Sequence, residues 1–387
     1  MSARAIRVAR LASALLAFAG QVNALDLKDA FIDKQDGYLD ASDWLLEKKG
    51  FLPVPIIITE PAVGYGGGVG LTFFRESIGE AAEKAKETGH VTPPDVFAIA
   101  AFGTENGTKG IGGGGMFSFD DDRWRYRGGL ARMNVNLDFY GRDGGAFSST
   151  QEKIGYSLDG WASSQQVLRR LGGASSNDWI AARWIYLDLD SSFDLGDNAP
   201  AFSKTDLTNR ASGLGLSYEH DSRDNIFTPS RGWMFGFDTL FYDPDWGSDT
   251  RFQTYRAHAY AYFPIASKWI LGVRADGRTA NGDVPFYQLP YLDMRGLPAA
   301  RYQDQHTALA EAEVRWNVTP RWAFVGFAGA GRAWGKSQAF DDASTIVSRG
   351  LGFRYLIARQ LGLQMGTDFA WGPDDFAFYI QVGSAWR

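Results

Sequence analysis

Four histidines, His90, His220, His258 and His306, are the residues of this 387-residue chain best suited to acid–base or metal chemistry, and they are dispersed. None stands in a ligand-spaced pair such as His-Glu-x-x-His, so their spacing offers no zinc site. His258 shares a strand face with Arg256, a pairing that fits a wet, charged surface better than a catalytic base. A lipid-cleaving barrel would need serine and histidine together on an outward strand face; His306 and Thr307 are neighbours and so point to opposite sides. Gly66–Gly68 and Gly112–Gly115 lack the Lys-Ser/Thr of a phosphate loop and read as strand kinks or small lumenal residues. The stretch Asp33–Asp40 has the outline of a calcium loop. Aligned on Gly37, however, its first and third ligand positions are Ile32 and Lys34, so a turn and a capped helix are expected instead. With no cysteine in the chain, thiolate metal sites, disulfides and a cysteine nucleophile are excluded together. The expectation is a protein without catalytic residues, metal or cofactor.

The elements that would carry these residues are short and alternating. Hydrophobic residues make up 45% and aromatics 14% of the chain, with 46 glycines, yet mean hydropathy is negative. No apolar run beyond the N-terminus approaches the roughly 20 residues of a membrane-spanning helix. Aromatic and glycine enrichment suits a barrel wall with interfacial girdles and tight turns. The net charge of −6 provides no basic footprint for nucleic acid. Residues 1–24 read as a cleaved secretory signal: Arg4, Arg7 and Arg10 form a basic start, Leu11 to Gly20 an apolar stretch, and Val22-Asn23-Ala24 a small-residue cleavage site. Residues 25–50 form a short acidic segment whose clearest element is a helix capped by Asp40, with Asp43 in its first turn and Gly50 at its end.

From Phe51 onward the hydrophobic period is two, and residues 51–387 are expected to form one barrel domain. Sixteen strands are predicted at 53–60, 63–75, 94–104, 108–118, 124–138, 151–168, 177–193, 206–221, 231–243, 250–264, 266–279, 306–319, 321–335, 345–359, 361–372 and 376–386. An even number of strands with short turns on one side, Pro264–Ser267 and Thr319–Arg321 among them, and longer loops on the other, 76–93 and 280–305 among them, predicts an all-β, antiparallel, up-and-down transmembrane barrel. Placing charges inward sets the faces. Thr307, Leu309, Glu311, Glu313 and Arg315 line the lumen, while Ala308, Ala310, Ala312, Val314 and Trp316 face lipid. In the closing strand Phe378, Ile380, Val382 and Trp386 are predicted to face lipid. A soluble β-sandwich shares the period but has no use for so many aromatic faces or for an export signal.

Three stretches carry a resemblance to a known family. Asp221 to Trp233, with Pro229-Ser230-Arg231-Gly232 at its centre, looks like a mid-barrel turn of the bacterial surface antigen superfamily typified by BamA and TamA. Met294-Arg295-Gly296-Leu297 is similar to the Val-Arg-Gly-Phe/Tyr tip of that family's sixth extracellular loop. Phe378 to Trp386, with Ile380, Val382 and Gly383, is close to the C-terminal signal read by the barrel assembly machinery. Arg387 follows the aromatic on which that signal usually ends.

The resemblance implies an exported bacterial outer-membrane barrel surrounded by lipid, folded by the assembly machinery and non-catalytic. It also implies help in inserting or translocating client outer-membrane proteins through a weak seam between the first and last strands. Residues 25–50 leave no room for the periplasmic modules that such factors carry. A surface antigen or scaffold, a plugged pore, and more remotely a diffusion porin therefore stay open. A loop arginine folded into a barrel needs a carboxylate partner. The resemblance points to Glu313 and to the glycine-rich strand around Arg354, but Gly329 stands where the family carries an aspartate. Asp368 and Asp276, inward by alternation, are the candidate replacements, and Arg295 is expected to dock on Glu313 and Asp368.

Overall fold

The computed structural model describes residues 31–47, 50–77, 79–80, 95–139, 154–173, 175–193, 210–373 and 376–386. The expected signal at 1–24, residues 25–30 and Arg387 lie outside them. A short helix, α1 (Ser42–Glu47), precedes sixteen strands. The first eight are β1 (Gly50–Ile58), β2 (Gly66–Phe74), β3 (Val96–Thr104), β4 (Lys109–Phe119), β5 (Trp124–Phe139), β6 (Ile154–Arg170), β7 (Asp178–Phe193) and β8 (Arg210–Asp221). The rest are β9 (Gly232–Tyr242), β10 (Phe252–Ala266), β11 (Trp269–Gly282), β12 (His306–Asn317), β13 (Trp322–Trp334), β14 (Ile346–Ala358), β15 (Leu363–Trp371) and β16 (Phe376–Val382). Each pairs with its sequence neighbour in one sixteen-stranded antiparallel sheet, the predicted meander. The first strand starts earlier than expected, at Gly50, and the helix stops at Glu47.

Because cross-strand partners share a face, the registers assign every side chain to lumen or lipid. The outward face is apolar, with Ile111, Leu130, Trp161 and Leu351 all exposed. Aromatics cluster at both rims. Trp269 stacks on Trp316 at 5.3 Å and Trp322 meets Tyr355 edge-on at one rim; Trp371 and Phe376 pair at the other. Two such bands are what membrane interfaces select.

One expectation changes. Odd-numbered strands run one way and even-numbered strands the other, so the 76–93 connection after β2 lies at the opposite rim from the 280–305 connection after β11. The two long connections therefore do not share a side, and loop length alone was a poor guide to it. Both described ends of the chain lie at the rim of the short turns 267–268 and 318–321.

Candidate functional site

The connection between β11 and β12, the sixth at its rim, folds into the lumen. Val284 and Leu289 are buried with Leu240, Tyr242 and Phe252 of the wall, and Phe286 packs edge-on against Tyr156 at 5.0 Å. At the tip, Gly296 adopts φ +87°, where only glycine is unstrained, and its N–H donates to the Tyr379 hydroxyl at 2.9 Å. A Cβ at Gly296 would lie about 3.1 Å from the Gly372 nitrogen, so close approach as well as backbone angle requires glycine. Leu297 is buried with Leu292, Met294 and Leu309.

Arg295 reaches two strands at once. Its Nη1 donates to Glu313 Oε2 at 2.8 Å and to Asp368 Oδ2 at 2.7 Å, and its guanidinium carbon lies 3.5 Å from the Phe327 ring centroid. Ser348 Oγ donates to the Arg295 carbonyl. Asp368, fully buried, also accepts both terminal nitrogens of Arg354 at 2.6 and 2.9 Å. Both carboxylates and the Phe327 ring face are set against the desolvation of the Arg295 guanidinium, which hydrogen-bonds through Nη1 alone. The glycine at 329 has a steric reason: a Cβ there would meet Met294 Sδ at 3.1 Å and crowd Glu311. The carboxylate has moved to β15. Asp276 takes no part in holding Arg295; it is ringed by Arg256, Arg274 and Arg278, and Arg274 also holds Glu311 at 2.7 Å.

The other mouth is crossed by elements whose lumenal role the sequence did not reveal. The turn between β8 and β9, residues 222–231, crosses the opening: Arg315 Nη2 donates to Pro229 O at 2.8 Å and Asn225 Nδ2 to Leu361 O at 2.9 Å. The C-terminus joins it. Phe376, Ile380 and Val382 lie on the outward face with Phe378, in the register expected, but Gly383 takes φ +81° and turns the chain inward. Trp386 is accordingly buried, 4% exposed, stacked near Tyr260 and beside Tyr262, with Ser384 Oγ and the Tyr262 hydroxyl 3.0 Å apart. The expectation that Trp386 faces lipid is corrected: alternation holds only through regular strand, and a left-handed glycine ends it.

Among the described residues β1 pairs with β2 and β16 with β15, and no ladder joins β1 to β16. Pro53 and Pro55 give the physical reason. Two residues apart, they remove N–H donors from the same edge of β1. The ladder to β2 runs from Gly50 to Ile58 without a register shift, so the missing donors belong to the seam side. Near the seam Tyr65 stacks on Phe378 at 5.4 Å, and Glu60 accepts from Ala299 N of the docked loop at 3.1 Å.

Beneath the seam runs a strap. Residues 33–43, which precede β1 in the chain, fasten to the short turns flanking β13 and β14. Arg321 donates to Asp33 and Asp36, each at 2.6 Å, and to Asp40. Arg359 donates to Asp33 at 2.6 Å, Gln360 Nε2 to Asp43 at 2.7 Å, and the Tyr355 hydroxyl to Leu39 O at 2.7 Å. The carboxylates suggestive of a calcium loop are thus spread around a guanidinium. The Arg359 hydrogen bond holds Asp33 below the usual carboxylate range, and the Arg321 hydrogen bond does the same for Asp36. Burial pushes Asp40 up, but hydrogen bonds from Ser42 and Arg321 outweigh it, leaving it lowered too.

Known proteins share this architecture. The Omp85 superfamily domain matches residues 170–386, more than half of the chain. Among solved structures, BamA from Haemophilus ducreyi lacking POTRA domains 1–3 superimposes with a TM-score of 0.57 at 11% identity, over 87% of this chain and 70% of that one. CdiB from Acinetobacter baumannii gives 0.56 at 11% identity, over 86% of this chain and 59% of that one; CdiB from Escherichia coli gives 0.57 at 9%, over 85% and 61%. The chain spans about three fifths of the two CdiB chains. No curated protein sequence matches it. At these identities the likeness concerns the fold, and the family rests on the sequence match together with the sixteen-stranded barrel: the chain belongs to the Omp85 superfamily of outer-membrane β-barrel proteins.

Proposed function

We propose that this barrel assists the insertion or translocation of client outer-membrane proteins at its unpaired seam, after its own export through the signal at 1–24 and folding by the barrel assembly machinery. The observation that carries the reading is that no ladder joins β1 to β16 among the described residues. Free N–H and C=O groups on a strand edge pair readily with an incoming strand. The two edges are not equal. Pro53 and Pro55 blunt β1, whereas Phe376 to Gln381 of β16 include no proline, so that stretch is the competent template. Docking of Arg295 on β12 and β15 stiffens the wall behind that template. Reconstitution of the protein in lipid vesicles with an unfolded client barrel tests the proposal: faster client folding than in empty vesicles supports it, and an equal rate refutes it.

A second reading, a plugged scaffold or surface antigen, is favoured by the same prolines and by the two closures of the lumen. In that case the vesicles would not accelerate client folding.

A further inference from the structure

One inner surface departs from what a barrel lumen requires. Lumens of outer-membrane barrels are polar, and from β10 to β15 this one is dense with Arg274, Asp276, Glu311, Arg295, Arg354 and Asp368. The opposite wall is not. A single cross-strand row facing the lumen runs Val54, Gly70, Ala100, Gly112, Ala131, Ala162 and Leu187 from β1 to β7. The rows on either side, which begin at Leu52 and Ile56, carry no charged residue, and their polar members are Thr72 and Ser164. Over these three rows the inner face of seven adjacent strands carries no charge. Val54, although inward by register, is 40% exposed.

The wall borders a cavity of about 610 Å³ whose lumenal lining includes Ala100, Phe102, Ala131, Met133 and Leu187. Its lining is built from glycines and small or apolar side chains, and close approach of β5 requires one of the glycines: a Cβ on Gly112 would crowd Leu130 O and Ala131 Cβ at 2.8 Å. The volume lies in the roughly 300–1,000 Å³ range of small-molecule sites. Where the sixth loop reaches this wall it covers it with apolar side chains, Val284 and Leu289 against Leu187 and Ile185. Below that contact the wall is uncovered among the described residues.

We propose that the uncovered wall is a binding site for the hydrocarbon chain of a membrane phospholipid, admitted from the bilayer through the seam. Three features select this occupant. The wall is continuous, through the inner face of β1, with the strand edge that borders lipid, while the sixth loop folds across one mouth and the 222–231 turn with Trp386 crosses the charged side of the other. It presents small and apolar side chains over backbone already paired in ladders. A polypeptide strand lying there would leave its own N–H and C=O groups unmet at several kcal/mol each, whereas an acyl chain requires no hydrogen bonds. Water, the usual filler of a lumen, would face apolar surface on three rows. The proposal is independent of client assembly and holds or fails without it.

The test uses the intact protein in vesicles containing phosphatidylethanolamine with a photoreactive diazirine in its acyl chain, followed by mapping of adducts by tandem mass spectrometry. Alternation along a strand makes the readout internally controlled: Ile99 and Leu130 face the bilayer, Ala100 and Ala131 the lumen. Adducts on both sets are expected. In Ala131→Asp, adducts at Ala100 should fall about tenfold or more, because a buried charge repels hydrocarbon, while those at Ile99 persist and report an intact barrel. Adducts confined to Ile99, Leu130 and other outward residues of the unmodified protein overturn the proposal, whether water or the chain's own residues fill the space.

Discussion

Arg295 joins a loop to two strands through one nitrogen, and Asp368 joins that arginine to Arg354. The two ends of this relay respond differently to substitution. Asp368→Asn leaves two buried guanidinium groups facing a neutral amide, so a loss of about 3–5 kcal/mol is expected, read as a lower temperature for loss of the folded, heat-modifiable band on gels. Arg295→Lys keeps the charge and a donor for each carboxylate but loses the planar contact with Phe327, and about 1–2 kcal/mol should go. If Arg295→Lys proves the more damaging, the relay has been read in the wrong order. The arginine and Glu313 were legible through the family resemblance of their motifs, and Asp368 because a docked loop cation needs a lumenal anion and alternation says which anions point inward. The role of Asp276 was not. Its three arginines lie on its own strand and on β10, and the cross-strand register that gathers them is invisible before the strands are aligned.

At the scale of elements, strand number and face assignment followed from the period-two pattern, but the ends did not. Trp386 was placed outward by extending alternation across Gly383, a residue whose positive φ ends it. The strap shows the same limit: Asp33, Asp36 and Asp40 are close in sequence, while Arg321 and Arg359 come from turns 288 and 326 residues beyond Asp33. Because all three aspartates have lowered pKa values when folded, their contribution is fully present above the ordinary carboxylate range and is lost as pH falls through the lowered values. The strap should hold at neutral pH and detach in strong acid. The absence of native cysteine lets a fluorophore be placed at Lys34→Cys alone; its anisotropy should stay constant from about pH 8 to pH 5 and drop below the carboxylate range near pH 4. Arg321→Ala should give the mobile value at every pH. A drop centred near neutrality would contradict the carboxylate assignment. A separate expectation concerns β1. Pro53→Val with Pro55→Val restores two donors to the seam edge, at about 0.5–1.5 kcal/mol each when paired, and should raise the unfolding temperature if β1 then joins β16.

For the whole molecule, the sixth loop, the 222–231 turn and the C-terminus divide the barrel into a charged, filled half and an apolar half beside an open seam. That division predicts conductance. In planar bilayers the protein should show small, flickering currents, not a large steady channel, and deleting residues 383–387 should increase them by removing Trp386 from the mouth; a large steady current from the intact protein would contradict the plugged arrangement. The sequence disclosed the barrel and its family but not the plug, because the elements forming it read locally as an ordinary turn and an ordinary terminal strand. The seam had a local sign, since prolines at Pro53 and Pro55 are foreign to a strand paired on both sides. The most direct measurement joins the seam to function. Cysteines at Tyr65 and Phe378, whose rings are in contact, can be bridged by a short bis-maleimide, and client folding followed in vesicles before and after bridging. Acceleration by the unbridged protein that disappears on bridging is the predicted result; equal acceleration by both forms would show that the seam is not where clients enter.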